Sequence, residues 1–164
     1  MGGPVVMPGV YVAKLTVNGQ EYEQSFKVSD DPRLNIDIDV RREWNESLFE
    51  ITSLYEQVID EMKATQLAGW KVDELKKEGV SLDEKTLAPL DEINRKYNEL
   101  FSRTRSLYFE VSSYIGPWTT DQHAQFNYYT SMISKLAAER EQVVKNTIPR
   151  LNRGLKKDQK ITIE

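Results

Sequence analysis

The most regular pattern in this sequence is a heptad of apolar residues between Leu90 and Tyr114. Residues recur at alternating steps of three and four: Leu90, Ile93, Tyr97, Leu100, Thr104, Leu107, Val111 and Tyr114. Such steps return to the same side of an α-helix, so the pattern predicts a long helix with one continuous buried stripe. Thr104 is the single polar member, and Gly116-Pro117 predicts where the helix stops.

A second stripe precedes the heptad and predicts another long helix. It starts at about Asp39 and runs to about Leu67, with a continuation past Gly69-Trp70 towards Lys77 left open, because glycine weakens a helix. The apolar residues of this stripe are Val40, Trp44, Leu48, Ile51, Tyr55, Val58 and Met62.

A third helix is predicted after Pro117 and extends to Ile148, where Pro149 ends or kinks it. Its stripe consists of Phe126, Tyr129, Ile133, Leu136 and Val143, with Arg140 at a position where a heptad would be apolar. Capping-box patterns at Ser81-x-x-Glu84 and Thr119-x-x-Gln122 predict the starts of the second and third helices. The fold class is therefore mainly α, an antiparallel up-down-up bundle of three helices over residues 35–155.

Residues 1–34 have the alternation of β-strands instead. The runs Val10–Val17 and Glu21–Val28 flank Asn18-Gly19, the preferred pair for a two-residue type I′ turn. In that register Leu15 lies opposite Tyr22, and Tyr11 opposite Phe26, on one apolar face. Because an isolated hairpin is marginal in water, this face is expected to pack on the downstream helices or on a sheet outside the chain.

The tail, residues 156–164, is charge-rich up to Lys160 and then alternates polar and apolar residues. The stretch Lys160–Glu164 is a candidate for a short third strand.

Composition excludes several classes of function. With 22 Lys+Arg against 26 Asp+Glu, the net charge of -4 argues against a general nucleic-acid binder. Cysteine is absent and His123 is the only histidine, which excludes zinc ribbons, cysteine nucleophiles and multi-histidine metal cages. No apolar run reaches the roughly 18 residues of a membrane span.

Carboxylates are the remaining candidates for catalytic groups. Their positions in the sequence indicate that they lie on solvated helix faces. Glu56, Asp60 and Glu61 fall in the first helix, and Asp91-Glu92 begin the second. A glycosidase needs two carboxyl groups facing each other across a cleft, which a helical bundle does not offer. We therefore predict no catalytic, cofactor-binding or metal-binding residue, and we interpret His123 as a surface or capping residue.

Aromatic residues are the richest feature: three Trp, eight Tyr and five Phe. Those on the apolar stripes are assigned to the core: Trp44, Tyr55, Tyr97 and Tyr129. Trp70, Trp118 and Tyr128 fall off the stripes and are the candidate interface residues, because amphipathic aromatics are favoured at interfaces. The alternative is that these three cover the ends of the bundle.

Several short segments of the chain, taken in their order, resemble those of a known protein family. The run Gly9–Val28 follows Met7-Pro8 and precedes Asp30-Asp31-Pro32-Arg33, and Ile148-Pro149-x-Leu-Asn152 closes the last helix. This arrangement resembles the last hairpin of the immunoglobulin-like domain, with its helical tail, near the C-terminus of bacterial sortilin-like, glycosyl-hydrolase-type β-propeller proteins. The resemblance implies an exported parent, periplasmic or extracellular, whose upstream propeller would hold any hydrolase or ligand-binding activity.

The expected function is a non-catalytic C-terminal module that braces or docks the parent's upstream domains or another protein. In that interpretation residues 1–34 are the remnant of an immunoglobulin-like sandwich. Two alternatives remain open at this point. One is a carbohydrate-binding accessory module, which requires an exposed Trp70 or Trp118. The other is a self-associating helical bundle, which the heptad of the second helix favours.

Overall fold

The structure is a computed structural model and describes residues 4–163. It is mainly helical, with an N-terminal antiparallel hairpin, as the sequence predicts. The hairpin consists of β1 (Gly9–Val17) and β2 (Gln20–Val28), and the bundle of α1 (Ile38–Lys77), α2 (Glu84–Ser112) and α3 (Thr120–Gln142). A π-helical turn (Val143–Thr147) joins α3 to a short α4 (Ile148–Leu151), and a 3₁₀ turn (Lys157–Gln159) lies in the tail.

Helix α1 takes the longer of its two predicted courses and runs without a break through Gly69 to Lys77. It begins after Asp37, whose carboxylate accepts a hydrogen bond from the backbone N–H of Asp39 at 2.8 Å. Gly69 lies where α1 meets α2, since a Cβ there would stand 3.0 Å from the side-chain nitrogen of Asn94. The glycine therefore permits a close helix approach rather than ending the helix.

Helix α2 buries its heptad. Seven of its stripe residues are at most 4% exposed: Leu90, Ile93, Tyr97, Leu100, Thr104, Leu107 and Val111. Thr104 satisfies its hydroxyl by donating to the carbonyl of Leu100 at 2.8 Å, which explains how one polar residue fits the stripe. Tyr114 is the exception at 71% exposed, because the helix ends at Ser112, before the tyrosine.

The predicted cap of α2 is wrong by two residues. Asp83, and not Ser81, is the N-cap, and its carboxylate accepts hydrogen bonds from both the backbone N–H and the hydroxyl of Thr86. A carboxylate so placed also interacts favourably with the helix dipole, which a serine hydroxyl does not do to the same extent.

Helix α3 begins with the predicted capping box, in which Thr119 and Gln122 bond each other's backbone N–H groups. Its C-terminal end widens into the π turn, where the N–H of Ile148 bonds to the carbonyl of Val143. Pro149 has no N–H for the carbonyl of residue 145, so the α-helical ladder cannot continue unchanged. Ile148 and Leu151 nevertheless remain in the core.

The hairpin has the predicted register, with Leu15 opposite Tyr22 and Tyr11 opposite Phe26. Asn18 (φ 51°) and Gly19 (φ 80°) both adopt the positive φ of a type I′ turn. The apolar face does not pack on the helices, since no residue of either strand is buried. That part of the expectation is wrong.

The predicted third strand is absent from residues 160–163, and the sheet in the described part has two strands. Glu164, the last residue of that prediction, and residues 1–3 of the hairpin segment lie outside the described residues. Ile161 instead inserts fully into the bundle core. The side-chain amide of Asn152 donates to the Ile161 carbonyl at 2.8 Å and accepts from its N–H at 2.7 Å. These bonds replace those of a neighbouring strand.

Candidate docking surfaces

The first candidate surface is the apolar face of the hairpin, which we call the hairpin face (Tyr11, Ala13, Leu15, Val17, Tyr22, Phe26 and Val28). Leu15 is 60% exposed, Tyr22 55% and Phe26 47%. The rings of Tyr11 and Phe26 stack with their centroids 6.0 Å apart, so the face is already ordered by a cross-strand pair. Within the part of the chain that the structure describes, each strand also has one unpaired edge.

The hairpin is joined to the bundle at its open end. Asp30, just after β2, forms an ion pair with Arg41 of α1 (3.4 Å between Oδ1 and the guanidinium). The side-chain amide of Asn45 donates to the carbonyl of Val5, and Tyr11 donates its hydroxyl to the carbonyl of Met7 at 2.6 Å. These contacts anchor the hairpin without covering its face.

The three predicted interface aromatics do not form one surface. Trp70, on α1, is 64% exposed, and Tyr128, on α3, is 55% exposed. Trp118 is half-buried just before α3, with its ring 5.3 Å from Phe126. Trp118 lies beside residues 43–50 of α1, so Trp70, at least 20 residues further along that helix, is about 30 Å away at 1.5 Å per residue.

The second candidate surface was not predicted and lies between α1 and α3, which run parallel. Three adjoining depressions follow one another along it, with volumes of about 280, 420 and 300 Å³. Its α1 side includes Glu43, Glu46, Phe49, Glu50, Leu54, Gln57, Asp60 and Glu61, and its α3 side includes Trp118, His123, Phe126, Thr130, Ile133 and Ala137. We call it the acidic groove. The signal that could have revealed it is Phe49, which lies off the apolar stripe beside Glu43, Glu46 and Glu50.

A polar cluster lies behind one end of the acidic groove. Tyr97, fully buried on α2, donates its hydroxyl to Glu61 of α1 at 3.3 Å. Glu61 also pairs with Arg140 of α3, 3.1 Å from the guanidinium Nε. Burial, together with the negative charge of Glu61, raises the pKa of Tyr97 well above its usual range. The phenol therefore stays neutral and serves as a hydrogen-bond donor.

This cluster corrects the interpretation of Glu61 as a solvated surface residue and explains why Arg140 lies on an apolar stripe. Glu61 is half-buried and paired, and is not part of a solvated helix face. Arg140 stands on the apolar stripe of α3 because it meets that carboxylate. The other carboxylates considered are exposed: Glu56, Asp60, Asp91 and Glu92. The pKa of Glu92 is lowered by its bond to Arg95, as in an ordinary surface ion pair.

His123 lies in the exposed first turn of α3, with its Nδ1 3.5 Å from the side-chain amide of Asn127. Its ring faces Trp118 at 6.3 Å between centroids. Over residues 4–163, no group of three His, Asp or Glu side chains is arranged to hold a metal ion. Nor does any helix of this described part have the length and apolarity to cross a membrane.

Comparison of the chain with family models, with curated proteins and with solved structures finds no match. The sortilin-like resemblance therefore stays a prediction.

Proposed function

We propose that this chain is a non-catalytic docking module whose hairpin face packs against a β-sheet of a neighbouring domain. The observation that carries the proposal is the exposure of Leu15, Tyr22 and Phe26 on a hairpin whose apolar face the helices do not cover. An isolated two-stranded hairpin is marginally stable, so a sheet that covers this face would stabilise it.

Docking of the hairpin face would contribute a substantial free energy of binding for so small a surface. Full burial of a large apolar side chain contributes about 1.5–3 kcal/mol, and Leu15, Tyr22 and Phe26 each start from about half exposure. The unpaired strand edges add backbone donors and acceptors for strand addition. Burial then supplies affinity, and edge pairing supplies the register.

The partner we propose is the rest of an immunoglobulin-like domain that precedes the hairpin in a bacterial sortilin-like β-propeller protein. The hairpin would complete that sandwich, and the helical bundle would brace it. The setting would be periplasmic or extracellular, and any hydrolase activity would belong to the propeller.

Calorimetric titration of the full chain with the separately expressed upstream immunoglobulin-like domain tests this proposal. We expect a dissociation constant in the micromolar range or tighter, and a negative heat-capacity change from apolar burial. The double variant Tyr22→Ser, Phe26→Ser should bind at least tenfold more weakly. Val10→Ser, Val12→Ser is the matched control, because these exposed residues lie on the opposite face of the same sheet.

Equal losses in the two double variants, or no heat of binding with the wild-type chain, would contradict the proposal. Circular dichroism of each variant verifies that the helices remain folded.

A carbohydrate-binding accessory module is the second candidate, favoured by the 64% exposure of Trp70. It predicts that oligosaccharides quench tryptophan fluorescence and that Trp70→Phe removes most of the change. We do not favour the self-associating bundle, because the heptad of α2, which suggested it, is buried against α1 and α3 of the same chain.

A further inference from the structure

The acidic groove has the length of a helix-binding site. Its depressions adjoin one another, with Glu50 shared by the first two and Gln57 by the second and third. From Glu43 to Glu61 the groove follows α1 for about 27 Å at 1.5 Å per residue, which equals five turns of helix. At the far end Thr162 of the tail stands beside Asp60 and Ala64, so the tail limits the open length there.

The groove has an apolar centre. Leu54 and Ile133 are buried, Phe126 and Trp118 are half-buried, and Phe49 is 57% exposed. Helix-in-groove recognition uses apolar anchors at i, i+3 or i+4, and i+7 from one face of an amphipathic helix. Phe49, Trp118 and Phe126 offer aromatic surfaces to such anchors.

The charge of the groove has one sign. Glu43, Glu46, Glu50 and Asp60 lie along it and are exposed, and no Lys or Arg lines its three depressions. Among residues 4–163, the first three carboxylates form no ion pair, and Asp60 meets only the exposed Lys63 at 3.4 Å. On α2, by contrast, Glu92 and Glu99 are paired with Arg95 and Arg103.

This charge pattern selects among the possible occupants. A second copy of the chain would bring a protein of net charge -4 against this row of carboxylates, and nucleic acid would be repelled. The hairpin offers no cationic surplus either, since its two lysines, Lys14 and Lys27, are matched by Glu21 and Glu23, and Lys14 is paired with Glu21. A segment that presents Lys or Arg beside apolar anchors complements both features of the groove.

We propose that the acidic groove between α1 and α3 binds an amphipathic helix with basic flanks, supplied by a partner protein. The helix lies along the groove, its apolar face against Phe49, Phe126 and Trp118, and its basic residues beside Glu43, Glu46 and Glu50. This surface is separate from the hairpin face, so the proposal does not depend on the β-sheet partner.

The test uses a synthetic 18-residue amphipathic peptide with Leu at helical spacing and Lys at the other positions, and a matched peptide with Glu in place of Lys. Binding to the full chain is followed by fluorescence anisotropy and by amide chemical shifts. We expect micromolar binding of the Lys peptide, shifts along residues 43–61 and 118–137, and no binding of the Glu peptide.

The triple variant Glu43→Gln, Glu46→Gln, Glu50→Gln should weaken binding of the Lys peptide at least tenfold. The control variant Asp73→Asn, Asp91→Asn, Glu110→Gln removes the same charge from exposed positions outside the groove and should change affinity less than twofold. Phe49→Ser should also weaken binding, which distinguishes groove insertion from attraction to charge alone.

Several outcomes would overturn the proposal: no binding of the Lys peptide, equal losses in the two triple variants, or shifts confined to the hairpin. Sedimentation of the chain alone tests the second copy as occupant. The chain alone could form a concentration-dependent dimer that is more stable in the triple variant and dissociates when the peptide is added. That result would assign the groove to self-association instead.

Discussion

The residue that departs most visibly from its surroundings is Arg140, a cation on the apolar stripe of α3. It is tolerated because Glu61 of α1 lies 3.1 Å from its Nε, and because Tyr97 of α2 donates to the same carboxylate. The cluster thus draws one side chain from each of the three long helices. The carboxylate of Glu61 therefore links all three long helices through polar contacts.

Truncation of Leu100 tests whether the heptad of α2 forms the core of the bundle. It is 1% exposed, so Leu100→Ala should lower the free energy of unfolding by about 2–5 kcal/mol through lost burial and the cavity left behind. Urea denaturation measures this change. Leu34→Ala is the control, because Leu34 is 52% exposed and its truncation should cost less than about 0.5 kcal/mol. A loss below about 1 kcal/mol at Leu100 would show that the heptad is not the core.

Among the elements, the hairpin depends on its turn. Gly19 has a φ of 80°, so Gly19→Val forces a β-branched residue into the left-handed region, at a cost of about 1–2 kcal/mol. We expect amide hydrogen exchange in β1 and β2 to accelerate at least fivefold. The melting temperature of the bundle should be unchanged, because no strand residue is buried.

Asn18→Gly is the matched control for the turn, because glycine adopts the positive φ of position 18 without strain. Strand exchange rates that stay the same in Gly19→Val would contradict the type I′ assignment.

Asp83 makes the start of α2 sensitive to acid. The hydroxyl and then the backbone N–H of Thr86 lower the pKa of Asp83 below its ordinary value of 3.8. The group binds a proton less readily in the folded protein, so its stabilisation is complete above that ordinary value and is lost as pH falls through the lowered pKa. Asp83→Asn keeps an oxygen acceptor at the N-cap but removes this titration.

Thermal melts of the wild type and Asp83→Asn from pH 7 to pH 2 test this dependence. The advantage of the wild type should be constant above about pH 5 and should shrink below about pH 4. A difference that stays constant to pH 2 would show that the carboxylate charge of Asp83 does not contribute.

The elements differ in how far the sequence determines them. Asn18-Gly19 favours a two-residue type I′ turn, and that turn sets the register of the two strands. The steps of three and four between apolar residues located all three long helices. Ser81 and Asp83 both offer a side-chain oxygen that can accept a hydrogen bond at the start of α2. The local sequence does not show which of the two is the N-cap. Lys160–Ile163 alternates like a strand, but Asn152 supplies its partners. That contact joins residues nine apart across a turn, which periodicity cannot reveal.

The candidate surfaces were predictable to a smaller extent. Apolar alternation revealed the hairpin face, but whether the helices would cover it depended on the course of the chain between residues 28 and 38. The acidic groove arises from the parallel placement of α1 and α3, so its two sides, which end at Glu61 and begin at Trp118, are at least 57 residues apart in the sequence. The sequence placed Trp118 off the apolar stripes as a candidate interface residue, and that prediction did not include its neighbours on α1.

For the whole molecule, the link between hairpin and bundle depends on Arg41, which is 5% exposed. Its guanidinium pairs with Asp30 at the end of the hairpin and lies 4.6 Å from the ring centre of Trp44. Trp44 in turn donates its indole N–H to the carbonyl of Val111 on α2 at 2.7 Å. A path of contacts therefore runs from the hairpin through α1 to α2.

A double-mutant cycle on Asp30 and Arg41 tests this link. Asp30→Ala leaves a buried cation without its anion, so we expect a loss of about 1–3 kcal/mol in the free energy of unfolding. Arg41→Met keeps an apolar side chain against Trp44 and removes the charge, so adding Asp30→Ala to that variant should cost less than about 0.5 kcal/mol. Urea denaturation of the four proteins gives the coupling energy. Additive losses would mean that the ion pair between Asp30 and Arg41 does not connect the hairpin to the bundle.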